Sequence, residues 1–356
     1  MTRTELTRRS AGLLMLASLA ACGGGGGSGD DAGTGNPGGG TPGGGDSGGS
    51  DPGSGGNPGG GSGSGAVTGT YRLQAGASSN AQGLADANRM GAEGYALVTS
   101  LANTVGTSVT IGDYYMSDTA HTGHKLTYAL QPDEATLAGF LDQLNRQGAN
   151  GYALKSSVVS SADFQDVQNL YVKNTSRSDQ FSYEALTTDL QTPQAMADEL
   201  NRQGSRGFRF IGPMIVGSTM FTLYVRRSDG VTYQYAVEAE SNAYTAADRA
   251  GLQAVLDAKG AGGWLIRGTE AKGPVQAPSF MNIYEKSSAQ SGAIEYAVEA
   301  TSNNASLQDL LGSMNSNAAK GFFWLSQDIT GDGKINTISV KNGGTLLHPL
   351  SGVSFP

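Results

Sequence analysis

A glycine recurs at positions 94, 151, 207, 263 and 321 of this 356-residue chain, at intervals of 57, 56, 56 and 58. Around it a nine-residue pattern repeats. Leu144-Asn145-Arg146-Gln147-Gly148-Ala149-Asn150-Gly151-Tyr152 returns as Leu200-Asn201-Arg202-Gln203-Gly204-Ser205-Arg206-Gly207-Phe208. Weaker copies lie at 87–95, 256–264 and 314–322. Five copies at so regular a period mean tandem modules, each a supersecondary unit that cannot bury its own apolar face alone. The repeats fall at about 66–124, 125–179, 180–230, 231–291 and 292–356.

The residues around each motif predict what a module contains. Leu137, Phe140, Leu141 and Leu144 fall at i, i+3, i+4 and i+7, one stripe of a helix, and Leu307, Leu310, Leu311 and Met314 do the same. Ser306 to Asp309 and Thr245 to Asp248 read as capping boxes, and Thr192-Pro193 as an N-cap with proline at N1. The first motif glycine (Gly91, Gly148, Gly204 and Gly260) is then expected to be the left-handed residue that ends the helix, with Ala318 departing from the rule. After the second glycine (Gly94, Gly151, Gly207, Gly263 and Gly321), a strand such as Phe208 to Phe210 is expected. A second follows at Thr222 to Arg226, and a third at Val231 to Val237 leads into the next helix.

The expected fold is therefore α+β: five tandem β-α-β-β repeats, a largely antiparallel sheet with helices on one face. The first repeat, with Ala81, Leu84 and Ala85 on its helix, reads as an N-terminal cap. Thr345-Leu346-Leu347 reads as a closing edge that Pro349 blunts. The motif resembles that of a small bacterial family of unknown function with a Leu-Asn-x-x-Gly-x-x-Gly-Trp signature between helix and strand. That resemblance carries no activity with it.

Ahead of the repeats, Arg3, Arg8 and Arg9 precede a short apolar run from Ala11 to Ala21, as in a signal peptide spanning 1–21. It ends in Leu19-Ala20-Ala21-Cys22, which resembles the lipobox of bacterial lipoproteins. The resemblance implies cleavage before Cys22, a diacylglycerol on its sulfur, and membrane attachment through that lipid. Gly23 after the cysteine, by resemblance to the enterobacterial sorting rule, implies the outer membrane, at its periplasmic face or the cell surface. Cys22 is the single cysteine of the chain, so no internal disulfide and no multi-cysteine metal site can form.

After Cys22, residues 23–65 consist of Gly, Ser, Asp, Asn, Thr and Pro and a lone Ala32, so that 22–65 form one segment. Such composition cannot bury enough surface to fold and reads as a tether with an end-to-end distance of roughly 36 Å. Without Met1–Ala21 the chain keeps 20 Lys and Arg against 30 Asp and Glu. This acidic balance disfavours nucleic acid as a partner.

Chemistry-bearing residues are sparse. His121 and His124 form the one close histidine pair and are weak metal candidates. Asp328, Thr330 and Asp332 occupy the first ligand positions of a calcium loop, but Ser339 stands where a bidentate carboxylate belongs, and a Gly-Asp-Gly-Lys hairpin turn explains the segment as well. The recurring Asn88, Asn145, Asn201 and Asn315 read as structural groups in the last helical turn. Catalysis needs a unique constellation, whereas the pattern supplies five equivalent surfaces. The expectation is a non-enzymatic envelope lipoprotein that binds or scaffolds a protein or glycan. The alternative is an enzyme or metal-dependent module with its site in the irregular loops of repeats one or four, around His121 or Glu270-Ala271-Lys272.

Overall fold

The computed structural model describes residues 67–342, apart from 106–107, 160–166, 189, 241–243, 273–277 and 303–304. The leader, Cys22, the tether and Thr345-Leu346-Leu347 lie outside the described residues. Each module contributes a strand, a helix and a two-stranded hairpin. The first runs β1 (Gly69–Ala75), α1 (Asn80–Ala92), β2 (Ala96–Val105) and β3 (Ser108–Asp118). The second runs β4 (Leu126–Pro132), α2 (Leu137–Ala149), β5 (Ala153–Val159) and β6 (Val167–Asn174), and the third β7 (Phe181–Leu186), α3 (Pro193–Ser205), β8 (Phe208–Val216) and β9 (Thr219–Arg227). The fourth has β10 (Tyr233–Glu240), α4 (Arg249–Ala261), β11 (Leu265–Lys272) and β12 (Ser279–Ser287). The fifth has β13 (Glu295–Ala300), α5 (Leu307–Ala318), β14 (Phe323–Ile329) and β15 (Ile335–Lys341).

The strands form five separate antiparallel three-stranded sheets, in the orders β1-β3-β2, β4-β6-β5, β7-β9-β8, β10-β12-β11 and β13-β15-β14. The fold is thus an α+β repeat. The modules share cores rather than a sheet: Leu200 of the third module packs in one cluster with Tyr235, Leu252 and Leu265 of the fourth. A helix of 13 residues is marginal alone in water, so packing against a neighbour supplies its stability.

The joints are built on the motif asparagine. Asn145 on α2 donates to Tyr183 O at 3.3 Å and accepts from Tyr183 N at 2.8 Å, so it clasps the first strand of the next module. Asn88 with Tyr128 and Asn201 with Tyr235 repeat the exchange. The tyrosine hydroxyl then reaches back into the module it joins. Tyr128, Tyr183, Tyr235 and Tyr296 accept from the backbone N–H of Leu97, Leu154, Phe210 and Ile266, at 2.8–2.9 Å. In the fourth joint Asp257 replaces the asparagine and has no N–H to give. Gln253, one turn earlier, donates to Tyr296 O at 2.9 Å and accepts from Val298 N at 2.8 Å.

The same clasp closes the chain on itself. Asn315 of α5 pairs with Tyr71 of β1, whose hydroxyl accepts from Trp324 N at 3.0 Å. Tyr71, Met116, Met314, Ala318 and Trp324 pack there as one cluster. The five modules form a closed ring. The first is therefore not an N-terminal cap: a cap leaves one face without a neighbour, and β1 is covered by α5.

The motif glycines divide their work differently from expectation. The second glycine, at 94, 151, 207, 263 and 321, is the left-handed one, with φ between 75° and 89°. The first lies inside the helix, where it clears space for the joint. A Cβ on Gly91, Gly148, Gly204 or Gly260 would come within 2.4 Å of the carbonyl oxygen of Leu126, Phe181, Tyr233 or Ile294. Each of those residues lies two ahead of the clasp tyrosine. In the closing joint that strand position is Gly69, where a Cβ would meet the Phe323 ring at 2.6 Å, and the helix position is Ala318, which is fully buried. The last helix otherwise ends as the others do, with Gly321 left-handed.

The helix starts hold one further correction. Ser306 and Asp309 form the capping box of α5, and Thr192 caps α3 ahead of Pro193. The cap of α4 is Asp248, which accepts from Gly251 N, whereas Thr245 is buried beside Thr269.

Candidate functional site

Each module has two ends. The helix N-termini and hairpin tips share one: Ala75, at the end of β1, pairs with Gly112, and Gly76 N donates to Ile111 O just ahead of the Ser79 cap. The helix C-termini, the motif and the inter-module connections share the other. There Lys173 and Lys286 donate to Asn150 O and Gly262 O, each at 2.8 Å, which sets a cation on a helix C-terminus. Lys173, Arg226 and Lys341 also lie over the rings of Tyr152, Phe208 and Phe322, so the aromatic residue of the motif is used inside the module.

His121 and His124 lie at this motif end, in the connection from the first module to the second. Their rings meet edge to face with centroids 5.1 Å apart. His121 Nδ1 lies 2.9 Å from Asp118 Oδ1, and His124 Nδ1 lies 2.9 Å from Asn174 Nδ2. Burial, then the neighbouring His121, lowers the His124 pKa. The pair belongs to a turn held together by the Asp118 carboxylate, the Asn174 amide, threonine hydroxyls and the backbone.

Asp328, Thr330 and Asp332 lie at the opposite end, on the hairpin of the fifth module. Asp332 Oδ1 accepts from the Thr330 hydroxyl at 2.7 Å and from Lys334 N at 3.3 Å, and Gly333 takes φ 75°. These bonds hold a hairpin turn, and Asp332 N and Gly331 N donate to Ala247 O and Ala246 O of the fourth module. Asp328 is on β14 with its pKa raised by burial. Glu270 and Lys272, from the irregular part of the fourth module, face each other at 3.8 Å on β11. Among the described residues no group of three His, Cys, Asp or Glu side chains is placed to hold a metal ion.

The hairpin end also carries exposed aliphatic side chains. Val109 and Ile111 on β3 and Met220 on β9 are 63%, 48% and 66% exposed, and Tyr244 lies in the loop before α4. A cleft of about 730 Å³ opens beside it between the fourth and fifth modules, lined by Glu240, Tyr244, Thr245, Ala246, Gly331 and Asp332.

A buried charge cluster occupies the joint between the third and fourth modules. Arg209 Nε on β8 donates to both carboxylate oxygens of Glu285 on β12, at 2.9 and 3.1 Å. The Tyr235 hydroxyl donates to Glu285 Oε2 at 2.9 Å. Arg267 on β11 lies 3.8 Å from the same carboxylate and donates through Nη2 to Phe210 O. All three charged side chains are at most 2% exposed. Burial, and then the nearby Arg209, lower the Arg267 pKa to about 10 against the pull of Glu285.

Arg267 sits on a β-bulge that every module repeats. The second strand slips register by one residue against the third at Val98, Lys155, Ile211, Arg267 and Leu325. Two of these side chains reach back to the preceding module: Lys155 Nζ donates to Val98 O at 2.9 Å, as Arg267 does to Phe210 O. Burial lowers the Lys155 pKa to about 7.

Reasoning from motifs passed over Arg209, Arg267 and Glu285. The signal that finds them is departure from the repeat. Arg209 stands where the other modules have Ala96, Ala153, Leu265 and Phe323, and Glu285 where they have Met116, Val172, Val225 and Val340.

No curated protein and no solved structure matches this chain. No helix among the described residues is long and apolar enough to cross a membrane. A family model described as "PT dipeptide repeat lipoprotein" matches residues 65–342, which span the whole ring. The chain belongs to that family, and is by membership a repeat-containing lipoprotein of the cell envelope.

Proposed function

We propose that this lipoprotein is a non-enzymatic binding ring, anchored through a lipid on Cys22, that engages an envelope protein with its hairpin end. One observation carries the reading: the three most exposed aliphatic side chains among the described residues lie at the end opposite the one where the chain enters the ring, and only the less exposed Val67 lies at the entry. Val67 O lies against Gly321, at the C-terminal end of α5. Val109, Ile111 and Met220 lie at the other end. With the residues before Val67 leading to the membrane, the hairpin end points away from it.

The chemistry of that end favours protein over glycan. Sugars stack on exposed aromatic faces, yet the clasp tyrosines and Tyr114, Tyr171, Tyr224 and Tyr284 are buried, which leaves Tyr244, 38% exposed, as the one large aromatic side chain among the described residues that is open at this end. Aliphatic contacts with a polar surround, which Glu240 and Asp332 supply, suit a protein surface. An outer-membrane location, by the residue after Cys22, would turn the ring toward the periplasm or the exterior.

The test is site-specific photocrosslinking of the full-length lipoprotein in its own cells. A crosslinker at 111 or 220 should give a discrete adduct that one at Arg146, on the motif end, does not. Equal adducts from both ends, or none from either, would overturn the reading. An adduct of the mass of two copies would point to self-association instead. Cys22→Ala should move the protein from membranes to the soluble fraction, and retention there would remove the anchor.

A further inference from the structure

The five modules act as one another's controls. Four joints are filled by apolar side chains at the positions of Arg209 and Glu285, so the fold does not need ions there. The joint between the third and fourth modules buries two guanidiniums against one carboxylate, which leaves one positive charge in excess. Glu285 is already committed to Arg209 Nε and the Tyr235 hydroxyl. Arg209 Nη2, Arg267 Nε and Arg267 Nη1 are buried with no hydrogen-bond partner in the protein. An unpaired charge in such surroundings is strongly unfavourable, and the guanidinium does not escape by losing its proton near neutral pH.

We propose that the Arg209–Arg267 pair is a binding site for one small monovalent anion of halide size. The excess charge sets the valence, because one negative charge neutralises the cluster. The size follows from enclosure: side chains at most 2% exposed leave little room for a phosphate or a sulfate. Arginine N–H groups, weakly hydrated and rigidly planar, suit such an ion better than an ammonium would. The site is independent of the hairpin-end reading, since it lies inside a joint and touches none of the exposed residues.

Thermal unfolding of the purified full-length lipoprotein in neutral detergent tests this, with chloride or bromide exchanged for gluconate at constant ionic strength. The melting temperature should rise with halide concentration and level off as one site fills. Arg267→Ile, which copies Ile211 of the third module, removes the excess charge and keeps the Arg209–Glu285 pair. It should fold and lose the halide response. Arg177→Gln, in an exposed ion pair away from the joint, should keep it. No halide response in the wild type, or an equal response in Arg267→Ile, overturns the proposal. If Arg267→Ile fails to fold, anomalous diffraction from bromide-soaked crystals decides: a peak between Arg209 and Arg267 is expected, and a water molecule there refutes the site.

Discussion

Asn315 and Tyr71, 244 residues apart in the chain, hold each other by two hydrogen bonds: Tyr71 N donates to Asn315 Oδ1 at 2.7 Å, and Asn315 Nδ2 donates to Tyr71 O at 3.2 Å. The other clasps join modules adjacent in sequence. This one converts a row of modules into a ring, so that no module is left with an uncovered first strand. A closed ring couples the modules into a more cooperative unit than an open array, whose ends fray.

Asn315→Ala should therefore cost about 2–4 kcal/mol, because it removes two hydrogen bonds and leaves backbone groups of Tyr71 without partners. Urea denaturation measures the loss. Hydrogen exchange should locate it, with β1 and α5 opening before the interior joints. If α5 stays as protected as α3 in the variant, the clasp does not hold the ring shut.

The two glycines of one motif should respond differently to alanine. Gly204→Ala puts a methyl 2.2 Å from Tyr233 O, and the helix must back out of the joint, at a cost of about 3 kcal/mol. Gly207→Ala meets no atom closer than Val231 O at 3.2 Å and chiefly strains a residue at φ 82°, for roughly 1–2 kcal/mol. A larger effect at Gly207 in the denaturation midpoint would reverse the assignment.

Lys155 gives a pH dependence with a definite sign. Its pKa is about 7 in the folded protein against an ordinary 10.5, so folding disfavours its protonated form. Between those values the unfolded chain holds more protons, and stability gained from this group rises with pH. Below about 7 the penalty is complete and constant. Lys155→Met should thus be more stable than wild type at neutral pH, with the gap closing as pH approaches 10. Melting curves that show a gap constant across that range would contradict the buried ammonium.

The Asp328–Asp332 segment should behave as a hairpin turn. Calcium at about 1 mM, which fills weak extracellular loops, should leave the melting temperature within ~1 °C. A rise that Asp332→Asn abolishes would restore the metal reading of Asp328, Thr330 and Asp332.

Much of the module was legible before any coordinates. The stripe from Leu137 to Leu144, the Thr192-Pro193 start and the Ser306–Asp309 box are local signals, decided by neighbours within one or two turns. The role of Gly204 was not, because the atom that forbids its Cβ belongs to Tyr233, a strand away. Nor was that of Asn145: its i−4 bond to Leu141 O is local, but the two bonds that matter go to Tyr183 in the next module.

The periodic pattern by itself determined the repeating unit, its order of elements and the number of copies, since helix and strand periods are short-range properties of the chain. Only the tertiary structure decided that the fifth helix returns to the first strand and that Arg209, Glu285 and Arg267 meet. Closure depends on the rotation each joint adds, which must sum to a full turn over five modules. The charge cluster depends on side chains brought together from separate strands of two modules. Closure is a property of all five modules together, and the cluster is a property of two modules docked on each other, so neither is carried by the local pattern of one repeat.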